Sequence, residues 1–471
     1  MPVATVAPAR RAAYDVLLAE AATRGPFDVT AATAAGFASL QERDRALAYE
    51  LVVGTIKRRN SLDRVIAAFS SAASKRLPPE VRESLRLGAF QVLYLDRVPA
   101  HAAVFEAVEL CKGQGRRTGS FVNAVLRRVA REGRAELARL SAGDSTEALA
   151  VRESHPDWLV ALWSAELGRP VAEALMAADN LPAERCVRVN RLRATVAEAQ
   201  AALAAGGITA RPAATAREQP ATPDALLIDG GPLESSAAFA DGLVTPQSRA
   251  SQLVALVAAG ALEAGGAGRV ADLCAAPGGK ASQLAALLPA ARIDAVDDDP
   301  RRAAALRANL DRLGAADRVA VVERDVLELG ADPALQGAYE AVLLDAPCSG
   351  LGTLASRADL RWRRRPVDVA RLAALQERLL AGAGALVAPS GSLTYSVCTL
   401  TRAETLEVIE RFLGRPAAGG GAPPNAASWE LDDLGAAMPR YRHPANGAFV
   451  QTLPSRDATS GFFIARLRRV T

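Results

Sequence analysis

The chain has 471 residues, half of them apolar, which is ample for a core and too long for one ordinary domain. Its net charge of +4 permits an acidic partner such as RNA without demanding one. Five cysteines at widely spaced positions (111, 186, 274, 348 and 398) and only three histidines count against a disulfide framework and a zinc site, so no metal is expected. The longest apolar run, from Leu253 to Leu262, is too short to span a bilayer, and the N-terminus lacks the apolar core of a signal peptide. A cytoplasmic protein with no membrane partner and reduced thiols is the expectation.

Residues 1–140 read as helices, with Tyr14, Leu17 and Leu18 on the first apolar face and Phe121, Val122, Val125, Leu126 and Val129 recurring at helical spacing near the end. A polar stretch from Ser141 to Thr146 reads as a linker. Residues 150–245 mix helical patterns, such as the run from Trp158 to Trp163, with short strands at Val187–Asn190 and Ala225–Ile228. From 246 to 471 strand, turn and helix alternate, the pattern of a doubly wound parallel sheet. Strands are predicted at Arg269–Leu273, Arg292–Asp297, Val319–Val322 and Ala341–Asp345, with a closing strand after Gly461. Residues 413–428 are rich in Gly, Pro and Ala and read as a loop.

Chemistry gathers at the carboxyl ends of these strands, where an open α/β sheet binds ligand. Cys274, Ala275, Ala276, Pro277, Gly278, Gly279 and Lys280 lie between a strand and a helix. Adjacent glycines allow close backbone approach, and the helix start offers free N–H groups. Asp297 ends the next strand and is placed to accept hydrogen bonds from ribose hydroxyls; Asp325 and Asp345 end the two after it. The G-x-G-x-x-G spacing of a dinucleotide site is absent.

Two cysteines sit just past apolar strands on the same edge: Cys348 in Asp345-Ala-Pro-Cys348, and Cys398 in Tyr395-Ser-Val-Cys398. A single cysteine there reads as a small core residue; two at one edge suggest covalent catalysis. A thiolate adding to carbon 6 of cytosine would turn carbon 5 into a nucleophile toward an electrophilic methyl group. A strand-end Asp suits hydrogen bonding to N3.

The motifs CAAPGGK at 274–280, AVD at 295–297, DAPCSG at 345–350 and YSVCT at 395–399 resemble the RNA cytosine-5 methyltransferases with two active-site cysteines. The N-terminal third, with Gln41-Glu-Arg-Asp-Arg45, Leu85-Arg-Leu-Gly-Ala-Phe-Gln91 and Phe121-Val-Asn-Ala-Val-Leu-Arg-Arg128, is similar to a NusB-type RNA-binding domain. The whole order, from about residue 8 to 467, resembles the bacterial RsmB/Sun/Fmu family of 16S rRNA cytosine-5 methyltransferases. The resemblance implies a NusB-like domain over 1–140, a linking α+β domain over 150–245, and a Rossmann-like methyltransferase domain over 246–471. It implies Cys398 as nucleophile and Cys348 in product release, with Asp345 facing the base and Lys280 lining the pocket. It also implies S-adenosylmethionine against residues 274–280, Asp297, Asp325 and Asp345. Three segments depart from the usual family pattern: Gln247-Ser-Arg-Ala-Ser-Gln252, Ala355-Ser-Arg-Ala-Asp359 and Arg402-Ala-Glu-Thr405.

Residues 355–371 hold six arginines and two aspartates, a local charge equal to that of the whole chain. Arg361, Trp362, Arg363 and Arg364 are therefore candidates for phosphate contact and base stacking beside the pocket. Arg127 and Arg128 form a second candidate RNA patch. The implied partner is small-subunit ribosomal RNA, unassembled or partly assembled, met by a monomer. Transfer RNA as substrate, and a non-catalytic NusB-like RNA-binding factor, are the alternatives.

Overall fold

The computed structural model describes residues 6–23, 29–70, 77–213, 222–262, 268–414 and 429–470; most of the expected loop, 415–428, lies outside them. The chain divides into two compact units, one of residues 1–181 with 357–363, the other of residues 182–356 with 364–471.

The first unit is helical. Pro79–Tyr94 is buried nearly all round, from Val81 to Leu93, as befits a central helix rather than an amphipathic one. Glu42–Lys57 passes so close to it that a Cβ on Gly54 would lie 2.0 Å from the Phe90 ring, a contact only glycine permits. Arg116–Leu140 buries Val122, Val125, Leu126, Val129 and Gly133 on one stripe. Arg127 and Arg128 are exposed on the opposite side, the latter 4.9 Å over the Phe69 ring.

Helices Thr146–Arg152, Asp157–Leu167 and Arg169–Asn180 pack within the helical unit. Polar side chains of the helix Arg59–Phe69 hold them there: Ser61 Oγ donates to the Val151 carbonyl at 2.6 Å, and Asn60 Nδ2 to those of Ala150 and His155.

Residues 357–363 join this unit too, which corrects the reading of the arginine run as an RNA surface. Arg361 is fully buried, and its guanidinium donates to the carbonyls of Lys57, Ser154 and Asp179 at 3.1–3.2 Å and to Asn180 Oδ1 at 3.0 Å. Trp362 donates its indole N–H to the Ile56 carbonyl at 2.7 Å. Arg363 binds the carbonyls of Thr23 and Glu20 and the Glu20 carboxylate. Groups committed in this way are not available to phosphates or bases. Arg361 faces Asp179, whose carboxyl is pushed up to about 7 by burial, against the pull of Arg361 and Lys57. His155 Nε2 lies 3.4 Å from the same carboxylate, and burial holds its imidazole well below the usual range.

The second unit carries two sheets. The smaller joins β1 (Cys186–Val189), β2 (Ile208–Pro212), β3 (Ala225–Gly230) and β4 (Val244–Pro246) in the antiparallel order β2-β3-β1-β4. The helix Val196–Ala205 crosses between β1 and β2, opened by a capping box of Thr195 and Glu198. The larger sheet contains β5 (Arg269–Leu273), β6 (Arg292–Val296), β7 (Val319–Val322), β8 (Tyr339–Asp345), β9 (Val387–Val397), β10 (Trp429–Leu431), β11 (Val450–Gln451) and β12 (Phe463–Arg469). Its order is β10-β12-β9-β8-β5-β6-β7, with β11 added beside β12. Strands β5 to β9 run parallel, and β12 is antiparallel to β9. The inner strands are near-continuous apolar runs because helices cover both faces of such a sheet.

Candidate active site

Parallel strands bring all their carboxyl ends to one edge, and the chain doubles back between β5 and β8, the place where such sheets bind ligand. Beyond β5 the backbone turns sharply. Cys274 has φ +60° and Gly278 φ +96°, after which the helix Gly279–Leu287 starts. Gly278 is forced twice over, since a Cβ there would also sit 2.6 Å from Leu306 Cδ1. The Cys274 thiol is held well above its usual range by burial and by the carboxylates of Asp297 and Asp345, so it stays protonated.

Asp297, just past β6, is buried and accepts from the amides of Ala276 (3.3 Å) and Asp299 (3.2 Å) and from Arg302 Nε (2.8 Å). Three donors leave part of a carboxylate's capacity of about four lone pairs free for a ligand hydroxyl. Asp325, past β7, caps the helix Val326–Ala331 through the Leu327 amide at 2.8 Å and is partly exposed.

At the end of β8, Asp345 takes Lys280 Nζ on Oδ2 at 2.6 Å and Ser396 Oγ on Oδ1 at 2.5 Å. Burial works against the Lys280 ammonium, but Asp345, Asp272 and Cys398 outweigh it and raise its pKa. Lys280 is thus a held cation at the floor of the site. Three residues beyond Asp345, Cys348 Sγ lies 3.3 Å from Cys398 Sγ at the end of the adjacent β9. Both are partly exposed. The Cys348 thiol is pushed well up by its hydrogen bond to Cys398, by burial, and by the charges of Cys398 and Glu404.

The residues 274–280, Asp297, Asp325, Asp345, Cys348 and Cys398 therefore share one edge of one unit. Arg361, Trp362 and Arg363 belong to the other unit, while Arg364 donates Nε to the Ser349 carbonyl at 2.8 Å and braces the Cys348 loop. Two acidic residues escaped the sequence reading. Asp272, inside β5, is fully buried with no well-formed hydrogen bond to either oxygen; burial pushes it up to about 7, opposed chiefly by Lys280. Glu404, also fully buried, hydrogen-bonds beside both cysteines. The available signal was the Thr401-x-x-Glu404 spacing, in which the threonine does reach the carboxylate, at 2.9 Å. The departure at Gln247–Gln252 has its own bonding: Gln247 accepts from the buried Arg188 at 2.7 Å and donates to Gln283 at 2.9 Å.

Comparison with known proteins establishes the class of this site: the chain is an RNA methyltransferase. The family description "16S rRNA methyltransferase RsmB/F" matches residues 259–468, the NusB family 7–131, and the ferredoxin-like domain of RsmF/B-like methyltransferases 155–231. A probable ribosomal RNA small subunit methyltransferase B of Bacillus subtilis is 32% identical over 91% of this chain and 92% of its own length. The ribosomal RNA small subunit methyltransferase B of Xanthomonas campestris is 34% identical over 91% and 90%. A crystal structure of a methyltransferase homolog from Pyrococcus horikoshii is 27% identical, with a TM-score of 0.56, over 70% of this chain and all of that one. The structure of PH0851, at 24% identity, shares the fold with a TM-score of 0.79 over 99% of this chain and all of that one. The chain belongs to the RsmB/F family of 16S rRNA methyltransferases. Its architecture is that family's: a NusB-like helical domain, a ferredoxin-like domain and a Rossmann-like methyltransferase domain.

Proposed function

We propose that the chain methylates carbon 5 of a cytosine in small-subunit ribosomal RNA, with Cys398 as nucleophile and S-adenosylmethionine as methyl donor. The observation that carries this reading is the thiol pair, 3.3 Å apart at the ends of β8 and β9, beside the Lys280–Asp345 ion pair. A methyl transfer to oxygen or to an amino nitrogen has no use for two thiols; addition to a pyrimidine ring does.

The Cys398 thiolate adds to carbon 6 and forms an S–C bond. The displaced electron pair is taken up at N3, where the Lys280–Asp345 pair supplies hydrogen bonding and a proton. Carbon 5, now an enamine carbon, would take the methyl group from S-adenosylmethionine, the methyl–sulfur bond breaking as the carbon–carbon bond forms and the thioether S-adenosylhomocysteine leaving. A base then removes the carbon 5 proton, the carbon 5–carbon 6 double bond re-forms, Cys398 leaves as thiolate, and N3 returns its proton to the Lys280–Asp345 pair. Cys348 is the group that assists this departure. Its raised pKa keeps it protonated, so it can hydrogen-bond the leaving thiolate across 3.3 Å.

The residues at the strand ends suit the donor. Carboxylates at 297, 325 and 345 match ribose hydroxyls and a cationic ligand, and the turn at 274–280 keeps its backbone accessible through Gly278 and Gly279. When bound, S-adenosylmethionine supplies the electrophilic methyl group. RNA is held by phosphate contacts from the exposed Arg127 and Arg128.

Bisulfite sequencing of total RNA from cells with and without the chain tests the reading. One 16S cytosine should lose protection in the deletion; loss at a tRNA position instead would move the substrate, and no loss would sink the chemistry. Cys398→Ala should abolish methyl transfer while cofactor affinity holds. Cys348→Ala should leave the protein covalently trapped on RNA, visible on denaturing gels.

A further inference from the structure

We infer that Glu404 is the positioning residue of the thiol pair, a buried carboxylate that ties together the loops carrying Cys348 and Cys398. The assignment of chemistry to those thiols rests on the preceding proposal; the geometry does not.

Glu404 ends the short turn Arg402–Glu404 and is fully buried. Its Oε1 accepts the Ser349 amide at 2.8 Å and Gln376 Nε2 at 3.1 Å. Its Oε2 accepts Ser349 Oγ at 2.5 Å, Thr401 Oγ1 at 2.9 Å and Thr399 Oγ1 at 3.3 Å. Ser349 follows Cys348 directly, and Thr399 follows Cys398. One carboxylate thus holds the residue next to each thiol, and the two hydroxyls themselves lie 2.8 Å apart. Gln376 extends the clamp by donating to the Pro347 carbonyl at 2.9 Å, on the other side of Cys348. The turn is fixed from below by the Tyr395 hydroxyl, which donates to the Glu404 carbonyl at 2.7 Å.

Every one of these donors is neutral. Burying a carboxylate among neutral donors is costly, and packing alone does not call for it. What the carboxylate offers is acceptor capacity on both oxygens at once, which glutamine lacks. Its charge also adds to the forces that keep the Cys348 thiol protonated beside a reacting Cys398. Glu404 touches no reacting atom; it acts through the two loops.

The test uses the full chain and an azo oxidant, diamide, without RNA. Diamide takes one hydrogen from each thiol as the Cys348–Cys398 bond forms, and its N=N bond becomes a hydrazide. The rate of disulfide formation, read by mass loss on the joined peptides across a pH series that separates thiolate fraction from reach, reports the thiol geometry. Glu404→Gln should slow it by about tenfold and lower kcat by about a hundredfold with KM little changed, as a displacement near 1 Å would. Glu404→Asp should recover part of both. If Glu404→Gln cross-links and turns over like the wild type, the inference is wrong. Should that variant not fold, Thr399→Val and Ser349→Ala each remove one tie and should each slow cross-linking; unchanged rates in both would overturn the clamp equally. Absence of an RNA adduct with Cys348→Ala would instead count against the covalent chemistry and leave the cross-linking result to decide Glu404.

Discussion

Replacing Arg361 by alanine separates a structural arginine from an RNA-binding one. The guanidinium is fully buried and makes hydrogen bonds to Lys57, Ser154, Asn180 and Asp179. Its removal orphans three buried carbonyls and strips the Asp179 carboxyl of the positive charge that acts on it most strongly. Breaking a buried charged network costs about 3–5 kcal/mol. In a unit of this size each kcal/mol moves the unfolding midpoint by roughly 2–4 °C, so the helical transition should fall by on the order of 10 °C. Trp158, Trp163 and Trp362 lie in that unit and report it by fluorescence. Arg365, from the same run, is the control: its side chain is 73% exposed and pairs with Asp368 at 3.4 Å. Arg365→Ala should cost about 0–0.5 kcal/mol. If Arg361→Ala left the transition in place while weakening RNA binding, the run would face RNA after all and the burial argument would fail.

Buried titratable groups give the helical unit a composite pH dependence. Asp179, raised to about 7, contributes stability that is present below its unfolded pKa and lost as pH rises toward 7. His155, depressed, contributes stability present above its unfolded pKa and lost as pH falls. The two oppose each other between about pH 4 and 7. Asp179→Asn should unmask His155, so that stability drops more steeply from pH 7 to 5, by up to about 1.4 kcal/mol per pH unit, in urea melts; an unchanged slope would remove the coupling. Arg127→Gln with Arg128→Gln should weaken RNA binding uniformly across sequences and reduce the salt slope by about 1–2, measured by titration at several salt concentrations. An unaltered slope would place RNA elsewhere.

The catalytic sheet was legible because each of its signals is local. Arg269–Leu273 and Val319–Val322 are strands with the bounds their apolar runs predict, and the Gly/Pro turn and strand-end aspartates follow from spacing alone. Helices 146–180 were harder, because an amphipathic pattern says that a face is buried and not against what. The polar ties from Asn60 and Ser61 that place these helices span some ninety residues of sequence. The arginine run misled for the same reason. Charge density suggests a solvated, phosphate-facing surface, and nothing local says that Arg361 meets carbonyls of Lys57 and Asp179.

The three-part order, and the gathering of two thiols, a lysine and a row of aspartates at the carboxyl ends of the strands, could be read from the amino-acid sequence. All of these depend on residues near one another in the chain or on strand periodicity. It took the folded chain to bring Cys348 and Cys398, fifty residues apart, to 3.3 Å, and to pair Lys280 with Asp345. The fold also showed Glu404, in a segment that the sequence marks only as a departure from the family pattern, bonded to the residue after each cysteine, and moved Arg361 from surface to core. Arg361 owes its place to carbonyls 182 to 304 residues away within the helical unit, and the other three share one physical reason. Parallel strands are joined by long crossovers, so contacts between their ends are set by sheet order and register, which no short stretch of sequence encodes.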